Sequence, residues 1–177
     1  MKRVGSQLCF CSPALILRRM AVEQNDENTI TRIFSLDDGI VESANTLFFD
    51  GILSAEIVSI KQSGATHLSE KLFDDYQYID ISEELPTKEI APVTKPLLLD
   101  FGTDSLLKIN KLLAQLAPFI SSFSIFEIIA ACTYYPALAL NKTGELCENH
   151  ATRLLLWENV DLLNKRITKR THIREMT

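Results

Sequence analysis

The sequence predicts an α+β fold, a small β-sandwich built from strands at both ends of the chain with two to three helices between them. The first part of the 177-residue chain is a series of short strand-like segments separated by polar turns. Helical spacing of apolar residues begins only after residue 104, and strand-like segments return near the C-terminus. Strands grouped before helices, rather than alternating with them, favour α+β. The length corresponds to one domain, or to one domain with a small extension.

The N-terminal region is predicted to form hairpins, because Asn, Asp and Gly punctuate its apolar runs. Two short runs around residues 46–49 and from residue 52 onward are predicted as separate strands joined by a turn at Asp50-Gly51. The remaining predicted elements are strands at 7–11, 14–23 and 29–34, with turns at 24–28 and 37–39. This close spacing of short strands is typical of part of a sandwich.

The composition of the chain changes at residue 61 and again at residue 97. Residues 61–96 are acidic and contain three prolines, which predicts a solvated connector with one short strand at 76–81. Residues 97–101 form an apolar run that ends at Gly102, which predicts a buried strand followed by a helix start.

Three helices are predicted after this strand. Apolar residues at helical spacing run from Leu106 to Leu116, and Pro118 ends the run. Ser124 and Glu127 form a capping-box pattern, with Phe123 and Ile128 placed as a hydrophobic staple. Further elements are a short helix with Pro136 in its first turn and closing strands at 153–157 and 172–176.

Composition argues against several classes of function. The net charge of −5 disfavours nucleic acid as a partner, because phosphate binding needs a basic patch. Basic residues do crowd the C-terminus, where a solvated edge strand is the main interpretation and anion binding the alternative. No apolar run has the 18 or more residues of a membrane span, and the apolar patch at 8–17 is predicted as a strand rather than a signal peptide.

The four cysteines, Cys9, Cys11, Cys132 and Cys147, form no CxxC pair. The three histidines are scattered, so they do not complete an obvious zinc site with these cysteines. We therefore expect reduced, mostly buried thiols in a cytoplasmic protein.

Three segments carry a family resemblance. Residues 47–59 are similar to a run "G-x-(L/V)-x-P-G-F-V-(N/D)", and Gly102-Thr103-Asp104-Ser105 matches a Gly-Thr-Asp-Ser motif. Residues 131–140 are similar to "A-A-T-x-N-P-A-x-A-L", followed by Gly144-Glu145-Leu146 and then 154–157. In this order, the segments resemble the metal-dependent amidohydrolases, which include cytosine and guanine deaminases and chlorohydrolases. The resemblance implies a composite β-sandwich, into which that family threads a metal-binding (β/α)₈ barrel.

The chain departs from this family where the catalytic apparatus is expected. Lys61-Gln62-Ser63 stands in place of the family's His-x-His, and lysine is a poor metal ligand unless its charge is removed. The stretch before Asp104 is also too short for a barrel, which takes about 250 residues. Of the family's metal and proton-transfer set, only Asp104 has a matching position.

Candidate site residues follow from this comparison. The resemblance makes Asp104 the candidate catalytic residue, with His67 as a displaced ligand beside it if zinc or iron is bound; otherwise no cofactor is expected. The alternative for Asp104 is a helix cap, supplied by Asp104 or Ser105. An exposed lysine is the main interpretation of Lys61, and a base is the alternative if the residue is buried, because burial lowers a lysine pKa. Neither His150, in a predicted turn, nor His172, in a basic edge strand, is placed to join Asp104.

These observations predict four regions and two functions. The regions are 1–60 with the N-terminal sandwich strands, 61–96 as the connector replacing the barrel, 97–143 with a strand and the helices, and 144–177 with the closing strands. The leading hypothesis is a degenerate amidohydrolase-like module that binds a partner or itself, forming a homodimer through the former barrel-facing surface. The alternative is a reduced metal-dependent hydrolase of non-peptide C–N bonds, and a third is a decayed gene product without activity.

Overall fold

One six-stranded sheet unites the two ends of the chain in the computed structural model, which describes residues 1–37, 46–65 and 69–176. The strands are β1 (Lys2–Ser12), β2 (Leu15–Gln24), β3 (Ile30–Ser35), β4 (Leu47–Ser54), β5 (Gln77–Asp80), β6 (Leu97–Asp100), β7 (Leu155–Glu158) and β8 (His172–Glu175). The large sheet has the order β3-β2-β1-β4-β7-β8, and β5 and β6 form a separate parallel pair. The predicted α+β class is confirmed, and the strands of the described residues close no barrel.

Two consecutive antiparallel hairpins build the N-terminal half of this sheet, as the sequence predicts. The turn between β2 and β3 is held by Asn25, whose Oδ1 accepts the backbone N–H groups of Glu27 and Thr29. Such side-chain turns are the reason that Asn favours these positions. The turn predicted at 37–39 lies largely outside the described residues.

The turn predicted at Asp50-Gly51 is wrong, because β4 is one continuous strand through these residues. Ser6 pairs with Phe49 and Leu8 with Ile52, so two residues of β4 oppose one of β1. This arrangement is a β-bulge, which bends a strand without ending it. Gly51 has a φ of +153°, and a Cβ there would lie 2.5 Å from the Trp157 carbonyl oxygen. The glycine therefore serves a bulge and a close backbone contact rather than a turn.

The helices pack against the large sheet and against the β5–β6 pair. They are α1 (Ser69–Asp75), α2 (Leu106–Leu116), α3 (Ile125–Cys132) and α4 (Tyr134–Ala139). Ile109, Leu113 and Leu116 of α2 are buried in a core that also includes Phe10 and Trp157 from the sheet. The predicted capping box is present at α3, with the side chains of Ser124 and Glu127 each bonding the other residue's backbone N–H.

The opposite face of the sheet has its own core of buried residues. It contains Cys9, Leu53 and Leu156, and the loop that leads into β7 closes it. In that closure, Ile30 N–H donates to the His150 carbonyl, and Asn149 N–H donates to the Ile30 carbonyl. Cys9, Cys11 and Cys132 are buried and Cys147 is half-buried, which confirms the burial predicted for the thiols.

An edge of the large sheet is covered by a side chain from α2. Asn110 Nδ2 donates to the Ile173 carbonyl, and its Oδ1 accepts the Ile173 N–H, both at 2.7 Å. The side-chain amide thus occupies the hydrogen-bonding positions that a further strand would use on β8. None of the helices in the described ranges is long and apolar enough to cross a membrane.

Candidate functional site

Two aspartates end the parallel pair of strands side by side. Asp80 is the last residue of β5 and Asp100 the last residue of β6, and they are partners in the pairing register. The carboxyl ends of parallel strands are where α/β proteins bind ligands, so this edge is the candidate site. We call the group formed by Ser59, Lys61, Tyr78, Asp80, Ser82, Glu83 and Asp100 the strand-end cluster.

Asp100 is fully buried, and hydrogen bonds from four groups surround its carboxylate. Its Oδ1 accepts from Ser59 Oγ at 2.7 Å and from the Gly102 N–H at 2.9 Å. Its Oδ2 accepts from the Lys61 N–H at 2.9 Å and from Tyr78 Oη at 3.3 Å. Four donors replace the water that a buried carboxylate loses, which offsets much of the cost of burying it.

Tyr78 is held as a donor by its surroundings. Burial raises the pKa of the Tyr78 hydroxyl, and the negative charges of Asp100 and Asp80 raise it further. The hydroxyl therefore keeps its proton and donates it to Asp100. Tyr78 therefore acts in the cluster as a neutral hydrogen-bond donor rather than as a phenolate.

Lys61 forms the exposed side of the cluster. Its Nζ lies 2.5 Å from Asp80 Oδ2, 2.6 Å from Glu83 Oε1 and 3.1 Å from Ser82 Oγ. The bonds with Asp80 and then Glu83 raise the pKa of Lys61 above its usual range. Lys61 is exposed, as its main interpretation expects, and its pairing with carboxylates contradicts the alternative role as a base with a lowered pKa.

Asp80 experiences opposing effects. Burial by itself raises the pKa of its carboxyl, but the hydrogen bonds from Lys61 and from Ser82 outweigh it and lower the pKa. Ser82 donates both its N–H, at 2.9 Å, and its hydroxyl, at 2.6 Å, to Asp80 Oδ1. Asp80 and Lys61 are thus both stabilised in their charged forms.

Gly102 lies in the turn that follows β6, next to the strand-end cluster. Its φ is +62°, in the left-handed region, and a Cβ there would lie 2.3 Å from the Ser82 Cβ. Any side chain at 102 would push apart the turn after β6 and the turn after β5. Close packing against Ser82 therefore explains why the first position of the Gly-Thr-Asp-Ser motif is a glycine in this structure.

The predicted site residues lie apart from the strand-end cluster. Asp104 is exposed, four residues beyond Asp100, and its charge acts on Arg153, whose pKa is raised first by its hydrogen bond with Glu56. Ser105 is the N-cap residue of α2, which is one of the two positions predicted for the cap, but its side chain makes no capping hydrogen bond. His67 lies outside the described residues.

The other histidines and the acidic residues do not assemble a metal site in the described parts of the chain. His150 Nδ1 lies 2.6 Å from the Glu145 carbonyl oxygen, and His172 is exposed on β8. Within residues 1–37, 46–65 and 69–176, no group of three or more His, Cys, Asp or Glu side chains is placed to hold a metal ion. The residues that the sequence interpretation missed are Asp100 and Asp80, each an acid that ends a short strand.

Two surface cavities lie away from the cluster. One of about 430 Å³ is mainly apolar and opens near Leu97, at the amino end of β6, with Val93 and Phe126 in its wall. The other, of about 320 Å³, is more polar and is lined by residues that include Thr133 and His150. Neither cavity is lined by a member of the strand-end cluster.

The fold and this site define an α+β protein with an internally paired polar cluster, built around the buried Asp100, at the ends of two parallel strands. Comparison with protein-family models and with curated proteins found no match. A solved structure, N-acetyl-D-glucosamine-6-phosphate deacetylase from Mycobacterium smegmatis, is similar at 6% sequence identity with a TM-score of 0.26. The alignment covers 69% of this chain and 30% of the deacetylase chain.

Proposed function

We propose that this protein is a non-catalytic relative of the amidohydrolases that acts by binding, in the first instance to a second copy of itself. The relationship is supported by the order of the three sequence segments and by the sheet that joins β1 and β4 to β7 and β8. The four cysteines without disulfides suit the cytoplasm, where thiols stay reduced.

The observation that carries the non-catalytic proposal is the internal pairing of the strand-end cluster. A catalytic carboxylate needs a free position for a proton, a substrate or a metal. Each oxygen of Asp100 instead accepts two hydrogen bonds from the protein, and Lys61 is held between two carboxylates. We infer that this site stabilises the fold and that other surfaces of the molecule bind the partner.

The surface proposed for self-association includes the outer side of α2. Leu107 is 83% exposed there, in the first turn of the helix that follows Asp104. Covering this side chain with a second copy of the chain would remove apolar surface from water, which favours association. The β8 edge is already covered by Asn110, so we propose pairing through the α2 face rather than by extension of the sheet at β8.

A charge placed on α2 is expected to break the dimer. We expect light scattering after size-exclusion chromatography to give twice the chain mass of 20.0 kDa for the unmodified protein. Leu107→Asp should shift the mass towards the single chain, because a carboxylate at the interface would lose its water without gaining a partner. The side chain is exposed in the single chain, so the substitution should leave folding unchanged.

Leu163→Asp is the matched control for this experiment. Leu163 is 90% exposed but lies in the loop between β7 and β8, away from a helix face. We expect this variant to remain a dimer. A single-chain mass for the unmodified protein at every concentration would contradict the homodimer, and equal loss in both variants would contradict the α2 face.

A second candidate function is a reduced metal-dependent hydrolase of non-peptide C–N bonds. It is favoured by the intact Gly102-Thr103-Asp104-Ser105 and by the exposure of Asp104 just beyond the carboxyl end of β6. Zinc or iron would be its metal, with Asp104 and a histidine such as His67 as ligands.

Metal analysis separates this candidate from the non-catalytic proposal. For the non-catalytic protein, we expect less than about 0.1 equivalents of zinc or iron after dialysis, since tight catalytic sites normally use three protein ligands. Asp104→Ala should then leave metal content and thermal unfolding unchanged. Stoichiometric metal that is lost in Asp104→Ala would instead support the hydrolase and contradict the non-catalytic proposal.

A further inference from the structure

Two cysteine side chains lie next to each other on one face of the large sheet. Cys9 and Cys11 are two residues apart on β1, so they point to the same face, and their Sγ atoms are 3.9 Å apart. Cys9 is fully buried and Cys11 is 4% exposed. This pair takes no part in the strand-end cluster or in the proposed dimer surface.

The backbone around Cys11 is irregular. In the β1–β2 ladder, Phe10 pairs with Ile16 and Ser12 with Leu15, so Cys11 has no partner across the hairpin. Its carbonyl accepts the N–H of Leu146 instead. The hairpin turn that begins at Pro13 is exposed, so a small opening of the sheet end brings solvent to Cys11 before it reaches Cys9.

The two thiols are not equivalent. The hydrogen bond between them lowers the pKa of Cys11 and raises the pKa of Cys9, which burial raises further. The thiolate is the reactive form of cysteine. Cys11, the less buried of the two, is therefore the better nucleophile, and Cys9 is placed to react with it in a second step.

A metal site is a poor use of this pair. Tetrahedral zinc needs four ligands, and the described residues place no third His, Cys, Asp or Glu with the two sulfurs. Chemistry that needs only two sulfur atoms fits the pair better, and formation of a disulfide is such chemistry.

We propose that Cys9 and Cys11 are a redox-active dithiol, which hydrogen peroxide or an organic peroxide oxidises to a disulfide within β1. In the first step, the Cys11 thiolate attacks one peroxide oxygen. The O–O bond breaks, and the leaving oxygen takes up the proton released by Cys11. The products are Cys11 sulfenic acid and water, or an alcohol from an organic peroxide.

In the second step, Cys9 Sγ attacks Cys11 Sγ. The S–O bond of the sulfenic acid breaks, and the departing oxygen leaves as water with the Cys9 proton. Two thiols have then lost two electrons and two protons, and one peroxide has been reduced. The sulfur atoms move from 3.9 Å to a bonded distance of about 2.05 Å.

Thiol mapping tests this proposal directly. The folded protein is treated with one equivalent of hydrogen peroxide, unfolded in guanidinium chloride with an alkylating reagent, digested and analysed by mass spectrometry. We expect two of the four thiols to be lost, in the peptide that contains Cys9 and Cys11, and to return after dithiothreitol. In Cys9→Ala, Cys11 should instead be trapped by dimedone as the sulfenic acid.

Cys132→Ala is the control, because Cys132 is fully buried in α3 and burial raises the pKa of its thiol. This variant should lose the same two thiols. Circular dichroism of each variant shows whether it has folded, and the mapping of the unmodified protein does not depend on any variant. Retention of all four thiols would overturn the proposal, as would a disulfide that joins Cys11 to Cys147 or links two chains.

Discussion

Asp100→Asn is expected to lower the free energy of unfolding by about 3 kcal/mol, one of the two largest effects that we predict. The asparagine has the same shape, but one of its two acceptor oxygens becomes an NH₂ group. That group would face donors, either the Ser59 hydroxyl and Gly102 N–H or the Lys61 N–H and Tyr78 hydroxyl. Urea unfolding followed by the fluorescence of the single tryptophan, Trp157, measures the loss.

Asp104→Asn is the matched control, since it makes the same change on an exposed carboxylate four residues away. We expect it to change the free energy of unfolding by less than about 0.5 kcal/mol. If the two variants lose the same free energy, Asp100 is not the structural centre of the strand-end cluster. If only Asp104→Asn is destabilised, the motif that resembles the amidohydrolases holds the fold and Asp100 does not.

The elements that depend on local chemistry could be predicted from the sequence. The capping box at Ser124 and Glu127 needs only a spacing of three residues, and the structure contains both of its hydrogen bonds. The helix from Leu106 to Leu116 follows from the period of its apolar residues and from Pro118. The turn after β2 likewise follows from Asn25, whose side chain bonds two nearby backbone groups.

The strand-end cluster could not be predicted because it depends on pairing between distant segments. Asp100 and Asp80 become neighbours only through the parallel register of β5 and β6, and Ser59 reaches Asp100 from a third segment. Asp80 lies in the acidic segment predicted as a solvated connector. That segment instead contributes buried Ile81 and Ile90 to the core. An aspartate at the end of a short apolar run was a usable sign, but it does not reveal which donors will surround it.

The sequence alone does not show whether a glycine is needed for a turn or for a close backbone contact, as Gly51 illustrates. Asp-Gly between two apolar runs is a strong hairpin pattern. Here β4 continues through it, because β1 and β7 lie on either side of the strand and a hairpin would abandon both ladders. Tertiary pairing therefore overrides the local pattern. It places Gly51 at a position where the φ angle and the nearby Trp157 carbonyl both disfavour a side chain.

Gly51→Ala is accordingly expected to lower the free energy of unfolding by about 4 kcal/mol, the sum of backbone strain and overpacking. The added Cβ would lie 2.5 Å from the Trp157 carbonyl oxygen, and the φ of +153° is one that alanine rarely adopts. The oxygen belongs to the backbone of β7, where Ile52 pairs with Trp157, so it cannot turn away as a side chain would. Thermal and urea unfolding measure the effect.

Gly64→Ala separates the two contributions. Gly64 also has a positive φ, +70°, but nothing lies within 4 Å of an added Cβ. Its substitution should therefore cost only the backbone strain, about 1 kcal/mol. The difference between the two variants measures the clash at the bulge together with the additional strain of a φ of +153° over one of +70°. Equal, small losses would show that β4 moves away from β7 at little cost, and the bulge would then not fix the approach of the C-terminal strands to the N-terminal ones.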